Sequence, residues 1–254
     1  NNFSSRRTVF ELQMAFALGY INKIPHFNSI NNYLNNPGIG KYLVELYILL
    51  ASPMIPLENN FAVDATGFST LNKNRWMDLR FDRRGSVKDY KKLHIIIGVR
   101  TNIITSARVT KATVSDTKCF PELVKKTSLN FRIREVCADA GYLSRKNCSL
   151  VKRIGADPYI MPRIDTRARA GRSSAWHRMI RMWEDNRELF AQHYHQRSTV
   201  ESTFSAMKRK FLSFVRSKTD LAIENEILCK VVCYNGSVLV NAIFELDIDL
   251  DFSR

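Results

Sequence analysis

The side chains of two aspartates and one glutamate stand in sequence contexts where carboxylates could take part in catalysis. Asp64 follows a short apolar run in AVDATG, and Asp139 follows another in VCADAG. Each precedes a small residue and a glycine-containing turn. Carboxylates at the ends of adjacent strands converge at the open edge of an α/β sheet, where ligands tend to bind. Glu201, presented from a helix packed on that sheet, would add a third carboxylate. Asp is also a common turn residue, so a structural role stays open for either aspartate.

The segment HYHQRSTVESTFSAMKRKF, residues 193–211, has the apolar periodicity of a helix that packs on a core. The stripe that should face this core consists of Val200, Phe204, Met207 and Phe211. A second, narrow stripe consists of Tyr194, Arg197, Glu201 and Lys208. This helix is therefore predicted to present one carboxylate flanked by two cations and a phenol.

Three converging carboxylates repel one another unless cations neutralise them. Hard divalent ions such as Mg²⁺ or Mn²⁺ bind such oxygen ligands and also accept phosphate oxygens. Two ions about 3.5–4 Å apart can clamp the attacking and leaving oxygens of a phosphodiester. A pair of metal ions acting on a phosphodiester would explain why Glu201 stands alone among cations.

Composition points in the same direction. The 254 residues carry a formal net charge of +15, which favours a polyanionic partner, most often nucleic acid, over a merely basic surface. The longest apolar run is too short to span a bilayer, so no membrane contact is expected. Five scattered cysteines suggest reduced thiols in a cytosolic protein. Cys229 and Cys233, one helical turn apart, are interpreted as small buried thiols rather than metal ligands.

The order of elements predicts an α/β fold with a mixed sheet flanked by helices. Helices are expected within residues 8–52, the middle one with a Ser or Asn cap. The strand FAVDATGF, ending in a Gly turn, is followed by a hairpin turning at Thr101-Asn102. Helices and strands then alternate up to the helix of residues 193–211. The expected regions are a helical N-terminal segment 1–58, a catalytic domain 59–245 with a basic insertion 160–190, and an acidic tail 246–254. The N-terminal segment could bind DNA or support the catalytic domain. The first residue is Asn rather than Met, so a truncated N-terminus is one expectation.

Three blocks of this sequence resemble the DDE transposases of bacterial and archaeal insertion sequences. The first block reads FAVDATGFST followed by RWMDLR, and the second reads REVCADAGYLS. The third is Tyr194-x2-Arg197-x3-Glu201-x6-Lys208, which matches the Y-R-E-K signature of that family. The later ILCKVVCYNGSVLV is similar to the family's C-terminal helix. The resemblance covers about residues 25–245 in the family's order.

This resemblance implies a ribonuclease-H-like core in which Asp64, Asp139 and Glu201 are the catalytic metal ligands for Mg²⁺ or Mn²⁺. It implies hydrolysis at transposon ends, followed by attack of the freed 3′-hydroxyl on target DNA. Arg197 and Lys208 would hold DNA phosphates, and Tyr194 would stack on or hydrogen-bond the DNA. A surface ion pair with Glu201 is the competing interpretation for both cations. The implied partners are the terminal inverted repeats and target DNA, with a homodimer in the synaptic complex of a prokaryotic, cytoplasmic, nucleoid-associated protein.

Two basic clusters are expected to contact the DNA backbone, although each could be a solvated loop. Residues 74–92 hold seven cations against three acids, and residues 163–181 hold six arginines against Asp165. Only 61 residues separate Asp139 from Glu201, whereas several relatives carry a large β-rich insertion there. Trp176 or Trp183 could insert at a distorted base, with core packing as the alternative. The predicted DNA-binding arginines of the clusters are Arg75, Arg83, Arg84, Arg167, Arg169 and Arg172.

Two other functions stay open on the sequence. A catalytically inactive or domesticated DNA-binding protein derived from a transposase would keep the basic surface without the reaction. A structure-selective nuclease of the same fold would cleave DNA without joining it. The intact acids in all three blocks favour a transposase that acts by two-metal phosphoryl transfer.

Overall fold

A five-stranded mixed sheet forms the centre of the protein. The structure, a computed structural model, describes residues 5–70, 90–168 and 174–246. The strand order is β3-β2-β1-β4-β5; the β1–β2 and β2–β3 pairs are antiparallel, and the β1–β4 and β4–β5 pairs are parallel. This is the predicted α/β class with a ribonuclease-H-like arrangement. The strands are β1 (Asn60–Ser69), β2 (Tyr90–Gly98), β3 (Ile104–Lys111), β4 (Glu135–Ala138) and β5 (Asp157–Ile160).

Helices cover both faces of the sheet. The run Leu93–Gly98 in β2 and all of β4 are buried, which is possible only where neither face meets solvent. The prediction of helices before the first strand and between later strands is confirmed. The helices are α1 (Ser5–Ala17), α2 (Phe27–Leu34), α3 (Ile39–Ala51), α4 (Asp116–Ser128), α5 (Arg145–Arg153), α6 (Ala175–Asp185), α7 (Arg187–Tyr194), α8 (Ser198–Phe211) and α9 (Asp220–Leu246).

The central strand β1 is longer than predicted. The sequence suggested that it ends in a turn at Gly67, but the strand continues to Ser69, and Gly67 pairs with Lys92 of β2. The Tyr90 ring lies 3.1 Å from the position that a Cβ on Gly67 would occupy. The glycine therefore serves the close approach of a neighbouring ring rather than a reversal of the chain.

The β2–β3 hairpin turns at Thr101-Asn102, as predicted. Asn102 adopts φ 62°, a left-handed conformation that asparagine tolerates better than most residues. The buried Glu58 carboxylate accepts hydrogen bonds from the backbone N–H groups of Thr101 (2.5 Å) and Arg100 (3.3 Å). The turn is therefore fixed to the segment that leads into β1.

Two smaller expectations are wrong. The cap of α2 is His26, whose Nδ1 accepts a hydrogen bond from Asn28 N, rather than a Ser or Asn. Cys229 is only half-buried and Cys233 is exposed, because this part of α9 turns them away from the core. All five cysteines are free thiols, as expected.

The long helix α9 packs along α3 and β3. The fully buried Asn235 amide accepts from Ile104 N (3.0 Å) and donates to the carbonyls of Ile104 and Tyr47, so this helix is bonded to an edge strand. Within the described ranges, α9 is the one helix long and apolar enough to cross a membrane. Because 44% of its most apolar stretch is buried in the fold, its length and composition also suit a helix that packs in the core of a protein.

A buried lysine of α9 donates hydrogen bonds to backbone carbonyls at and after the end of α8. Lys230 is 8% exposed, and its Nζ donates to the carbonyls of Phe211 (2.7 Å) and Phe214 (2.6 Å). The segment after α8 also pairs with the end of β1, where Ser69 N donates to Ser213 O. Lys230 thus holds the helix that carries Glu201 against the central strand.

We expect Lys230→Met to lower the free energy of unfolding by about 2 kcal/mol, because it leaves buried carbonyls without a donor. Urea unfolding followed by circular dichroism measures this change. Lys41→Met removes an exposed lysine that pairs with the exposed Glu45 at 3.7 Å, and it should change the stability by less than about 0.5 kcal/mol. Equal effects of the two substitutions would contradict the role given to Lys230.

Candidate active site

The sheet register brings the two aspartates side by side. Val63 of β1 pairs with Ala138 of β4 in the parallel ladder, and Asp64 and Asp139 are the next residues of the two strands. The ladder stops at this point, although β1 itself continues. Asp64 therefore lies within a strand rather than at its end, but it does lie where the parallel pairing opens. The predicted neighbourhood of the two carboxylates is confirmed by this register.

One guanidinium joins the third acid to the first. Arg197 Nη1 lies 2.7 Å from Asp64 Oδ2, and Arg197 Nη2 lies 2.5 Å from Glu201 Oε1. The side chains of Arg197 and Asp64 are 20% and 17% exposed, whereas that of Glu201 is 60% exposed. The ion pair of the competing interpretation, between Arg197 and Glu201, is present, but the guanidinium is largely buried and also binds Asp64.

A short 3₁₀ turn, His195–Arg197, positions this guanidinium. The turn interrupts the single helix that the sequence predicted, so that Tyr194 ends α7 and Arg197 precedes α8. Gln196 Oε1 accepts a hydrogen bond from Asn60 Nδ2 at 3.2 Å, which joins the turn to β1. The apolar stripe predicted on α8 is confirmed by the burial of Val200, Phe204 and Met207, and Phe211 is half-buried.

The end of α7 is fixed to the parallel strands. His193 Nδ1 lies 2.9 Å from Glu135 Oε2 on β4, and the imidazole stacks on Tyr159 of β5 with centroids 4.4 Å apart. The Cys137 thiol donates to His193 O at 3.1 Å. These contacts place the residues that follow His193 beside β1 and β4.

The other two members of the signature adjoin the same surface. Lys208 Nζ donates to Thr66 Oγ1 at 2.6 Å, and burial lowers the pKa of Lys208. Thr66 follows Asp64 by two residues and so shares its face of β1. The Tyr194 ring lies 5.9 Å from the Arg197 guanidinium carbon. Lys208 therefore makes no ion pair with Glu201, and the competing interpretation fails for this lysine.

A fourth carboxylate lies beside Asp139. Asp139 Oδ1 accepts a hydrogen bond from Gly141 N at 2.9 Å. A Cβ on Gly141 would lie 3.1 Å from Asp139 Oδ1 and 3.6 Å from Asp116 Oδ2. Asp116 begins α4 and pairs with Lys92 of β2 at 2.9 Å. Sequence reasoning treated Asp116 only as a helix cap, since no local pattern connects it with Asp139.

The protonation of Asp64 reflects this crowding. Burial raises the pKa of Asp64 to about 6. A hydrogen bond from Ala65 N (2.8 Å) and the positive charge of Arg197 oppose this rise, while the negative charges of Asp139 and Glu201 add to it. Burial and like charge together outweigh the arginine, so the site holds more negative charge than one guanidinium compensates.

The types of donor fit a divalent ion, but their arrangement in this structure is not a ready metal site. Within the described ranges, no three carboxylate, imidazole or thiol groups lie together as a metal-ligand set. Arg197 occupies the space between Asp64 and Glu201, and Asp139 is turned towards Gly141. Coordination by all three acids would require Arg197 to leave Asp64.

Of the predicted DNA-binding arginines in the basic clusters, the structure describes Arg167, which is not bonded to the acids of this site. Arg167 lies in an exposed loop, where its guanidinium donates to the carbonyls of Ile164 (2.8 Å) and Thr166 (2.9 Å). Its contact with DNA stays a prediction. Trp176 and Trp183 are half-buried against the core, with Arg145 and Arg187 over their rings. The predicted DNA contacts that lie outside the described residues are Arg75, Arg83, Arg84, Arg169 and Arg172.

Comparison with known families agrees with this geometry. Residues 56–235 match the family model described as the transposase DDE domain. Since the match spans more than half of the chain, the protein belongs to the DDE transposase family, and its general function is DNA transposition. Members of this family bind DNA and generally use divalent metal ions. Comparisons with curated proteins and with solved structures gave no match.

The raised pKa of Asp64 predicts a gain in stability when its charge is removed. Between pH 3.8 and about 6 the folded state binds more protons than the unfolded state, so the contribution of Asp64 to stability increases as pH falls through this window. In EDTA at pH 7.5, Asp64→Asn should raise the free energy of unfolding by at most about 3 kcal/mol. The gain should shrink towards pH 4.

Chemical unfolding at pH 7.5 and pH 4.5 measures this gain. Asp157→Asn, at an acid that is 53% exposed on β5, controls for the loss of one negative charge from a basic protein. A destabilised Asp64→Asn variant at pH 7.5 would show that the Arg197 contact outweighs burial and repulsion at this position.

Proposed function

We propose that this protein is an active transposase that cuts the ends of its insertion sequence and joins them to target DNA by metal-dependent phosphoryl transfer. The observation that carries the proposal is that Arg197 pairs with both Asp64 and Glu201 at the point where the parallel ladder opens, with Asp139 on the neighbouring strand. A site made only to bind DNA would gain nothing from acids that repel phosphate.

In this proposal Asp64, Asp139 and Glu201 hold the metal ions, Mg²⁺ or Mn²⁺ and two in number. When bound, the ions would activate the attacking oxygen and stabilise the leaving oxygen. The acids of β1 and β4 come from rigid neighbouring strands, while Glu201 comes from the first turn of α8. Glu201 is the most exposed of the three and is thus the acid that most easily changes its rotamer.

Arg197 and Lys208 would bind the phosphates on either side of the cut. A guanidinium grips phosphate in a bidentate manner, and an ammonium acts as a point charge. In the DNA-free state Arg197 uses both Nη atoms on carboxylates, and Lys208 donates to a threonine hydroxyl. Phosphate would replace these partners without leaving either cation unpaired. Tyr194 would support Arg197 and contact the neighbouring base or sugar.

The partners are DNA ends and target DNA, paired in a homodimer inside a prokaryotic cell. The net charge of +15 suits a long contact with the phosphate backbone. Cations outside the acid site would supply most of the affinity. Loss of one acid should therefore affect the reaction far more than it affects DNA binding.

The decisive experiment is cleavage of DNA that carries the element's own ends, in Mg²⁺ or Mn²⁺, by the wild type and by Glu201→Gln. Glutamine keeps the size of the side chain but removes its charge. We expect cleavage to fall by on the order of a hundredfold or more, as when one electrostatic group is lost from a preorganised site. DNA affinity should stay within a few-fold.

Glu224→Gln, at an exposed acid of α9, is the matched control and should cleave normally. Supplying pre-cut ends tests joining separately, so cleavage without joined product would indicate a nuclease instead. Tight, salt-sensitive DNA binding by a wild type that never cleaves would favour a non-catalytic DNA-binding protein.

The pairing of Arg197 with both Asp64 and Glu201 gives a second prediction. Arg197→Gln should strengthen Mn²⁺ binding to the DNA-free protein, because it removes the cation that competes for Asp64 and Glu201. The same change should weaken cleavage, because a phosphate ligand is lost. Mn²⁺ titration by electron paramagnetic resonance measures the first effect. Arg209→Gln, at an exposed arginine of α8, is the control for lost charge. If the Mn²⁺ affinity of Arg197→Gln is unchanged, the ion pairs of Arg197 do not compete with metal binding.

A further inference from the structure

A buried tyrosine beside the acids has a hydroxyl that the fold itself does not use. Tyr142 is 0% exposed, and its hydroxyl has no hydrogen-bond partner among the residues that the structure describes. Leaving a buried hydroxyl without a partner is costly, whereas phenylalanine would fill the same space at no such cost. The tyrosine at this position therefore calls for a reason other than packing.

The ring of Tyr142 cannot easily turn away to find a partner. It packs at a tilt against Phe120 of α4, with ring centroids 5.9 Å apart. Its backbone is held on both sides, since Tyr142 N donates to Asp139 O (3.1 Å) and Tyr142 O accepts from Asn147 Nδ2 (2.8 Å). The hydroxyl is thus a donor fixed in position within the fold.

The charges around this hydroxyl are those of the acid site. Burial raises the pKa of Tyr142, and the negative charges of Asp64, Asp116 and Asp139 raise it further. The hydroxyl therefore keeps its proton and remains available as a hydrogen-bond donor.

Each of these three carboxylates is bonded elsewhere in the DNA-free state. Asp116 pairs with Lys92 at 2.9 Å, and Asp139 Oδ1 accepts from Gly141 N at 2.9 Å. Asp64 Oδ1 accepts from its neighbour's backbone N–H, and Asp64 Oδ2 accepts from Arg197. Among these contacts, the one between Asp64 and Arg197 is the contact that the proposed function requires to break.

We propose that Tyr142 is a positioning residue, whose hydroxyl donates to the Asp64 carboxylate once Arg197 has moved to DNA. The inference rests on the proposed function for the release of Arg197. A carboxylate that binds a metal through one oxygen is usually oriented by a hydrogen bond to the other oxygen. Tyr142 supplies that donor from a rigid part of the core, so Asp64 keeps one orientation after the exchange.

A double-mutant cycle tests this role without metal or DNA. Tyr142→Phe should leave the melting temperature unchanged or slightly raised in the wild type, because the hydroxyl has no partner there. In the Arg197→Gln background, where Asp64 has lost its guanidinium, Tyr142→Phe should lower the melting temperature. Non-additivity of this kind shows that Tyr142 and Arg197 act on a shared partner, here Asp64.

Tyr234→Phe is the matched control, because Tyr234 is buried and its hydroxyl donates to Thr203 at 3.4 Å. It should lower the melting temperature equally in both backgrounds. Equal effects of Tyr142→Phe in the two backgrounds would overturn the proposal, since a merely structural tyrosine would not respond to Arg197.

A second measurement examines the DNA-bound state. Mn²⁺ is titrated into the full chain bound to a pre-cut duplex that ends at the element's terminus. Tyr142→Phe should weaken Mn²⁺ binding by about tenfold, the usual effect of losing an outer hydrogen bond to a metal ligand, while Tyr234→Phe should not. If the wild type binds Mn²⁺ and Tyr142→Phe binds it equally well, only the role of Tyr142 is wrong. A wild type that binds no Mn²⁺ would overturn the proposed function as well.

Discussion

The balance of charge around Arg197 is the constraint on which the site depends. Two parallel strands place Asp64 and Asp139 next to each other, and α8 adds Glu201, so negative charge accumulates in a partly buried region. Such a group of carboxylates is unfavourable without a cation. In the DNA-free protein the guanidinium of Arg197 is that cation. Its two short contacts join the central strand to the turn before α8 and to the first turn of that helix.

The rest of the fold can be understood as the support of this balance. The stacked His193 and Tyr159 anchor the end of α7, and the pair Asn60–Gln196 anchors the turn that follows. Lys230 closes the far end of α8 against β1. The signature residues are spread over two helices and a 3₁₀ turn. Arg197 and Lys208 contact β1 directly, and Glu201 is held through Arg197. Rigid support of this kind is what a preorganised catalytic site requires.

Periodicity and turn chemistry were enough to predict the class of fold, while the roles of the three acids stay predictions. The β-branched runs predicted β2 and β3, and the Thr101-Asn102 pair predicted the turn between them. The apolar helical stripe predicted the buried face of α8. What the sequence could not predict depends on residues far apart in the chain. Asp116 approaches Asp139 only because α4 packs against the 3₁₀ turn Ala140–Tyr142, and Gly67 is explained only by the ring of Tyr90. Thr66 was within reach of sequence reasoning, because strand alternation puts it on the face of Asp64.

In the proposed function, the exchange of Arg197 between carboxylate and phosphate would have a consequence for control of the reaction. Metal ions and the guanidinium would compete for the same oxygens of Asp64 and Glu201, and DNA phosphate would compete for the guanidinium. DNA would then free the oxygens that the metal needs. Because coupling between two ligands is reciprocal, DNA and metal would each strengthen the binding of the other. A site arranged in this way would assemble its metal centre on DNA, which would keep hydrolytic chemistry away from the cell's other phosphodiesters until an end has been bound.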